Sequence, residues 1–526
     1  MQQKIALKLL PSEAADDAVI KKLIAGSAGK KVNEVKGFHT LKRSIDARGK
    51  NVWINLTVNA FINEPTQARA VTEFTSRDVS RSLKKVIIIG AGPAGLFAAL
   101  KLIEAGIQPI LLERGKDVRA RRRDLALLNK EGVINPDSNY CFGEGGAGTY
   151  SDGKLYTRSS KRGDVARILD LFVHFGADEN ILYEAHPHIG TNKLPQIITA
   201  MREKIVSCGG EFLFEQKVVD LIIAKDCIQS VTTSQGSFAA DAYILATGHS
   251  ARDIFTLLHH KNILIQPKPF AMGIRIEHPQ TLIDSLQYHC NVRDALLPPA
   301  SYGLVDQVNN KGVFSFCMCP GGIIAPASTD EGEVVVNGWS PSKRNNPFAN
   351  SGIVVHVEAA DVLSSTGDWE PAFDKDSPLL LMEFQKITEQ KAFREGGGKM
   401  VAPAQRLVDF TNNKLSADLP ACSYLPGIQS AAIKNVLPGF INERLRAGFV
   451  SFGKKMKGYL TNEAVLVATE SRTSSPVRIP RDNLTLQHPQ VKNLYPCGEG
   501  AGYAGGIVSA AMDGERIASR LAVILQ

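Results

Sequence analysis

The hydrophobic pattern is sharpest between residues 85 and 114, KVIIIGAGPAGLFAALKLIEAGIQPILLER. Val86–Ile89 has the length and β-branched content of a strand buried on both faces. Leu96, Leu100 and Ile103 then share one face of a helix that Gly106 is placed to end, and Pro109–Leu112 is a second apolar strand. Upstream, Lys4–Leu10 reads as a strand, Glu13–Ala25 as a helix and Asn51–Ile62 as a half-buried strand, a small α+β unit of β-α-β type. Downstream, a basic helical segment covers about 117–130. Leu194, Ile197, Ile198, Met201 and Ile205 then form the stripe of a helix over 191–208, with Thr191 or Asn192 as N-cap and Gly209-Gly210 as its stop. Three short strands, 217–224, 227–232 and 237–240, lead to Tyr243–Leu245 and the small residues Ala246-Thr247-Gly248, and Arg252–His260 reads as a helix. Pro267-Lys268-Pro269 marks a crossing into a region that is β-rich at first and then helical, where Phe314–Cys319 is a strand ended by Pro320-Gly321-Gly322. A last short strand runs into Gly498-Glu499-Gly500, and a helix follows from near Ile507.

This order predicts an α/β protein in which a Rossmann-like dinucleotide-binding domain is interrupted in sequence. Residues 1–80 form an added N-terminal α+β module, 81–261 the first part of the binding domain, 262–478 a mixed α+β cap, and 479–526 the second part of the binding domain.

Composition narrows the class. With 44% hydrophobic and 22% charged residues the chain is ordinary for a soluble globular protein. A formal charge of +8 is small for 526 residues: it suits an anionic cofactor or substrate and makes no case for nucleic acid. The basic run at 119–123 lacks the interleaved aromatics of a nucleic-acid surface. The apolar run near the N-terminus is too short for a secretory signal, and no window approaches the ~18 apolar residues of a membrane span. Eight cysteines without a paired-spacing framework point to a reducing compartment, so a cytoplasmic location is expected.

The chemistry sits in the glycine-rich turns. Gly90, Gly92 and Gly95 have the G-x-G-x-x-G spacing, with Pro93 and Ala94 in the first helical turn. Gly90 permits a sharp turn, Gly92 lets backbone approach a pyrophosphate, and Gly95 lets helix and strand pack closely, while the helix N-terminus offers N–H groups and partial positive charge. Glu113 lies 18 residues past Gly95, at the end of the second strand, where a carboxylate can accept ribose hydroxyls. A second glycine-rich loop, 139–158, repeats the spacing at Gly143, Gly145 and Gly148 but follows no apolar strand, so it is read as backbone laid against the same cofactor, the alternative being a surface loop. The turn at 498–506 into the last helix is another anion site. Cys317 and Cys319, two apart on a strand, point to one face, either as small core residues or as thiols facing a cofactor. Neither they nor His186 and His188 have partners at metal-ligand spacing, and no metal site is expected.

GAGPAG (90–95), LLERG (111–115), GEGGAGTYSDGKL (143–155), ATG (246–248), FCMCPGG (316–322) and GEGAGYAGGI (498–507) together resemble FAD-dependent oxidoreductases of the glutathione-reductase-like superfamily. More narrowly, the chain is similar to the bacterial family of uncharacterised FAD-dependent, or NAD(FAD)-utilising, dehydrogenases. The resemblance implies FAD as cofactor, with Gly90, Gly92 and Gly95 at its pyrophosphate and Glu113 at the adenosine ribose. Val219 would meet the adenine through its backbone, Glu499 would take the place of the usual Asp at the ribityl chain, and Gly505, Gly506 and Ile507 would sit near flavin N1 and O2. Pro93, Ala94, Arg114, Arg122, Gly145, Gly146, Thr149, Thr247, Gly248 and Gly500 are expected to complete the cofactor site, and Lys154, Arg275 and Cys319 to handle substrate. The expected function is hydride transfer between flavin N5 and an unidentified small organic substrate, with NAD(P)H at most a transient donor because no second Rossmann unit is read. The alternatives are a flavin-dependent lipid (isoprenoid-type) reductase working at a membrane surface and an FAD-dependent tRNA-modifying protein.

Overall fold

The computed structural model describes residues 1–157, 163–365 and 374–525, which leaves Arg158, the end of the second glycine-rich loop, outside the described residues. A five-stranded parallel sheet organises the structure, in the order Leu494–Pro496, Ala242–Leu245, Lys85–Ile89, Gln108–Leu112, Glu211–Leu213. Its strands are short and apolar because both faces are covered, with one buried cluster on each. The edge strand at 494–496 comes from the far end of the chain, so the sheet is built from two segments far apart in sequence. The helix Pro93–Glu104 packs against the C-terminal helix Ile507–Leu525 so closely that a Cβ on Gly514 would strike the Ala94 carbonyl. A three-stranded antiparallel meander, Val218–Ala224, Cys227–Thr233 and Ser237–Phe238, stands beside the parallel sheet.

A seven-stranded sheet carries the region between. Its order is Val305–Val308, Lys311–Cys319, Phe348–Val357, Phe270–Pro279, Val465–Glu470, Ala402–Arg406, Ile428–Ser430. The pairing of Lys311–Cys319 with Phe348–Val357 slips by one residue between Phe316, opposite Gly352, and Cys319, opposite Asn350. That β-bulge puts Cys317 at φ +48°, so the strand is not the regular one that alternation predicts, and the bulge rather than the pleat sets where its sulfurs point.

At the N-terminus, Gln2–Leu9, Trp53–Ile62 and Val35–Asp46 form an antiparallel sheet in that order. Val35–Asp46 is a strand that the sequence pattern missed, since its residues alternate poorly. The helix begins at Asp17, capped by the Asp16 carboxylate, and runs to Ala28, later than the 13–25 expected. This sheet and the seven-stranded one share one apolar cluster. The helix over Leu194–Ser207 also starts later than read: Asn192 Oδ1 accepts from Ser342 N at 2.8 Å instead of capping, and Lys193 takes the N-cap place without a side-chain bond. No helix among the described residues is long and apolar enough to cross a membrane.

Candidate functional site

A cavity of about 780 Å³ runs over the ends of the parallel strands and under the seven-stranded sheet, within the ~300–1,000 Å³ common for cofactor and substrate sites. The helix Pro93–Glu104 has Gly92 at its N-cap with no side-chain cap, so its first N–H groups face the cavity unpaired by side chains. The helix Ile507–Leu525 presents a second N-terminus, with Gly505, Gly506 and Ile507 on the wall. Both termini offer partial positive charge to anionic groups, and at the second Gly505 N donates to Ser509 Oγ at 3.1 Å.

The glycines separate into two kinds. A Cβ on Gly95 would run into the Gly90 carbonyl, and one on Gly90 into the Ala246 carbonyl, so these two glycines serve chain packing. Gly92, by contrast, has only the Gly146 Cα at 3.9 Å, and Gly248, Gly505 and Gly506 have nothing within 4 Å. Their missing side chains leave room for a ligand. The second glycine-rich loop is drawn in beside them: Gly145 N donates to the Ala91 carbonyl at 2.9 Å, and Gly146 lines the wall.

Glu113 lies on the wall and is 4% exposed. Its carboxylate accepts from the N–H of Ala91 and of Gly115 at 2.9 Å each and from Gly143 at 3.0 Å, fastening three loops at once. Arg114 closes that end of the cavity, paired with Asp137 at 2.6 Å and Asp253 at 3.1 Å, its guanidinium 4.1 Å from the Phe142 ring centre.

At the other end the structure gathers Glu499, His249 and Lys154. Burial pushes the Glu499 carboxyl up to about 7 against the pull of Lys268. His249 Nδ1 stands 3.8 Å from Glu499 Oε1, is buried, and has no hydrogen-bond partner among the described residues. Burial, helped by the charge of Arg472, takes its imidazole down to about 3, so it is neutral near pH 7. Lys154 Nζ lies 2.9 Å from Asp152, 3.7 Å from Cys317 Sγ and 3.4 Å from Cys319 Sγ. Asp152 is itself held by Arg344 at 3.0 Å and by the Ser340 hydroxyl. Burial works against the Lys154 ammonium, but Asp152 and the sulfurs outweigh it and hold its pKa above the usual range.

Of the residues named from sequence, Gly90, Gly92, Pro93, Ala94, Glu113, Arg114, Gly146, Lys154, Thr247, Gly248, Glu499, Gly505, Gly506 and Ile507 line this one cavity. Others stand behind the wall. Gly145 ties loops together, Gly500 abuts the Gly248 carbonyl, and Thr149 Oγ1 donates to the Glu144 carbonyl at 2.7 Å. Four placements differ from expectation. Arg122 points to solvent from its helix; its neighbour Arg121 is the buried one, donating to the carbonyls of Asn139, Tyr140 and Glu144 at 2.8, 3.1 and 2.8 Å. The wall ends at Val218, and Val219 is 48% exposed on the meander. Arg275 is fully buried behind the wall, bonded to Glu470 at 2.7 Å, Asn350 Oδ1 at 2.8 Å and the Cys317 carbonyl at 2.8 Å. Cys319 lies beneath the surface, and Cys317 takes the place at the cavity. His249, Arg472 and Trp339 also line it and were not singled out from sequence. His249 directly follows the Ala246-Thr247-Gly248 turn, a position that a reading of the turn could have extended to.

Comparison with known proteins matches three stretches of the chain. Residues 269–473 match a family described as FAD-dependent protein, C-terminal domain-like; 84–262 match pyridine nucleotide-disulphide oxidoreductase; and 1–61 match a domain of unknown function. An uncharacterized protein of Clostridium beijerinckii is 38% identical over 523 residues, covering 96% of this chain and 95% of that one. A D-amino acid dehydrogenase of Vibrio atlanticus is 37% identical over 68 residues, 13% of this chain and 16% of that one. Among solved structures, L-proline dehydrogenase from P. horikoshii is 13% identical, covering 83% of this chain and 93% of that one at a TM-score of 0.33. CtdE in complex with FAD is 11% identical, covering 84% of each at a TM-score of 0.33. Scores so low establish no shared topology. The full-length relative shows the kinship: the chain belongs to the family of the C. beijerinckii protein, and it carries FAD-dependent and pyridine nucleotide-disulphide oxidoreductase family domains. It is an oxidoreductase-type flavoprotein whose cofactor is FAD.

Proposed function

We propose that the protein transfers a hydride between flavin N5 and a small organic substrate held under the seven-stranded sheet. One observation carries the reading: a single cavity joins the two helix N-termini and Lys154 to a wall from the intervening region that bears Phe316, Cys317 and Trp339. FAD, when bound, supplies a two-electron carrier. The residues fit it. Gly90 to Ala94 would cradle its phosphates, and Glu113, with three of its lone pairs on backbone N–H groups, has acceptor capacity left for a ribose hydroxyl. Thr247, Gly248 and Glu499 would flank the chain between the phosphates and the ring, Gly505 would leave room beside it, and the N–H groups of Gly506 and Ile507 would favour negative charge at the ring edge. Gly145, Thr149 and Gly500 act by holding those walls.

Lys154, charged and cavity-facing, orients a substrate carbonyl or carboxylate by donating to it, and the sheet above excludes water. His249, neutral and with Nδ1 unpaired, accepts or passes a proton at the same end. On this reading the chain divides at 80, 261 and 478 into N-terminal module, flavin domain, cap and completing flavin segment, and NAD(P)H is at most a transient donor. Purified protein is expected to be yellow, with the flavin absorbance bleached anaerobically by a member of an amine, amino-acid and hydroxy-acid panel or by NAD(P)H. A yellow protein that no member bleaches, though dithionite does, sinks the hydride reading; a colourless protein that takes up no FAD sinks the site as well.

A further inference from the structure

We propose that Cys317 and Cys319 form a dithiol–disulfide couple at the cavity, Cys317 the reactive sulfur and Cys319 its resolving partner, and that this couple exchanges two electrons with the bound flavin. The inference goes beyond hydride transfer to a substrate and rests only on FAD occupying the cavity.

The bulge supplies the geometry. In a regular strand, Cα atoms two residues apart are about 6.6 Å apart, at the upper edge of the roughly 4.4–6.8 Å that a disulfide spans. Between Phe316 and Cys319 three residue steps stand against two on the facing strand, so the chain is drawn in there, with Cys317 in the left-handed region. Cys317 reaches the cavity while Cys319 is fully buried just below it.

The surroundings are wrong for two inert core thiols. Lys154 Nζ touches both sulfurs, and Arg275 Nη2 is 3.6 Å from Cys319 Sγ and 2.8 Å from the Cys317 carbonyl. Arg275 has Glu470 as its partner and Lys154 has Asp152, yet the two cations are still aimed at the sulfur pair. Packing cations against neutral thiols costs free energy that a thiolate recovers. The direction of titration agrees. The hydrogen bond from Cys319 leads in pulling Cys317 well below the ordinary thiol range; burial opposes it, and Lys154 and Arg275 add to it. The same bond and burial push Cys319 well above that range. One thiolate at the cavity beside one protonated thiol beneath is the arrangement that disulfide formation uses.

The step balances. The Cys317 thiolate and the Cys319 thiol give up two electrons and one proton, the S–H bond of Cys319 breaks, and an S–S bond forms. Oxidised FAD takes the electron pair and the proton and is left reduced. The reverse reaction reopens the disulfide.

The test is an anaerobic dithionite titration of the FAD-loaded full chain with peptide mass analysis of its alkylated cysteines. Wild type is expected to consume about four electrons per flavin, two for FAD and two for the sulfurs, and Cys317→Ser or Cys319→Ser about two. The oxidised wild type should yield a peptide linking Cys317 to Cys319. About two electrons in wild type, with both thiols alkylated in every redox state, overturns the couple. That outcome leaves hydride transfer standing if a substrate bleaches the flavin; a linked peptide in a protein that no substrate bleaches does the reverse. As a readout of positioning, iodoacetamide at pH 6.5 should modify Cys317 at least about tenfold faster than the buried Cys208. Lys154→Gln should slow that reaction about tenfold and Lys154→Arg restore most of it; equal rates in all three remove Lys154 from the account.

Discussion

Gly92 and Gly95 belong to one motif but meet different surroundings, and single methyl groups should separate their roles. Gly92 has φ −75°, which any residue adopts, and its Cβ would enter open cavity. Gly92→Ala is therefore expected to fold with an unchanged apoprotein melting temperature and to lose at least about tenfold in FAD affinity, read by flavin fluorescence. Gly95→Ala places its Cβ in the Gly90 carbonyl and should depress the apoprotein melt or abolish soluble expression. Equal behaviour of the two variants would refute the separation of packing from binding. Glu113 joins both roles. Its carboxylate holds the N–H groups of Ala91, Gly115 and Gly143, so Glu113→Gln, which turns one acceptor into a donor, should weaken both the apoprotein and FAD binding, by about 1–3 kcal/mol for the lost charged hydrogen bonds.

At the scale of elements, Arg275 shows how a charged residue near a site can be structural. It stands on Phe270–Pro279 and reaches Asn350 on the strand to one side, Glu470 on the strand to the other and the Cys317 carbonyl in the bulge. Burial lifts the Glu470 carboxyl to about 7 even with Arg275 beside it, so the pair depends on its geometry. Arg275→Met should cost about 3–5 kcal/mol in urea denaturation by stranding Glu470, and adding Glu470→Leu should recover much of it. If the double variant is no better than the single, the cost lies in the bulge and not in the ion pair. The glycine motif, its strands and its helix were legible in the sequence because their signals are local: spacing, β-branching and an acid at a fixed distance. Cys317 and His249 were not. What faces the cavity on the Lys311–Cys319 strand is decided by a bulge whose partner strand lies beyond residue 347, and alternation presumes that no such bulge exists.

Across the whole molecule, the parallel-sheet region and the seven-stranded region are joined by a buried ion network. Arg252 reaches Glu389 at 2.8 Å and Glu333 at 3.1 Å, and Arg472 reaches the same two carboxylates at 2.9 and 3.0 Å. Crowding and burial raise Glu333 to about 8, while the two arginines overcome burial and take Glu389 down to about 2. Burial likewise raises Glu277, Glu470 and Glu499 to about 7. Above pH 6.5 these carboxyls are ionised in the unfolded chain but partly protonated in the folded one. Through these groups the native state binds more protons, and their contribution to stability falls as pH rises. The Cys317 thiol, held below its usual range, and the buried imidazoles of His188, His249 and His278, held down to about 4, 3 and 4, act in the opposite direction. Glu333→Gln should therefore make the change in stability from pH 6.5 to 8.5, read by urea denaturation of the apoprotein, less negative than in wild type; an unchanged pH dependence would refute the raised carboxyl.

The sequence alone pointed to a dinucleotide cofactor and to the separate glycine turns that line one cavity, because each of those features is written in residues close together. Tertiary structure decided which side chains share the far end of the cavity. Lys154, His249, Cys317, Arg472 and Glu499 come from segments spread over some 345 positions, and folding the region between the two halves of the parallel sheet across its strand ends sets them against one another. Local spacing cannot encode such a meeting. It also decided that Arg275 and Cys319 support that end from beneath while Cys317 reaches it, since burial depends on what packs above a residue and not on the residue itself.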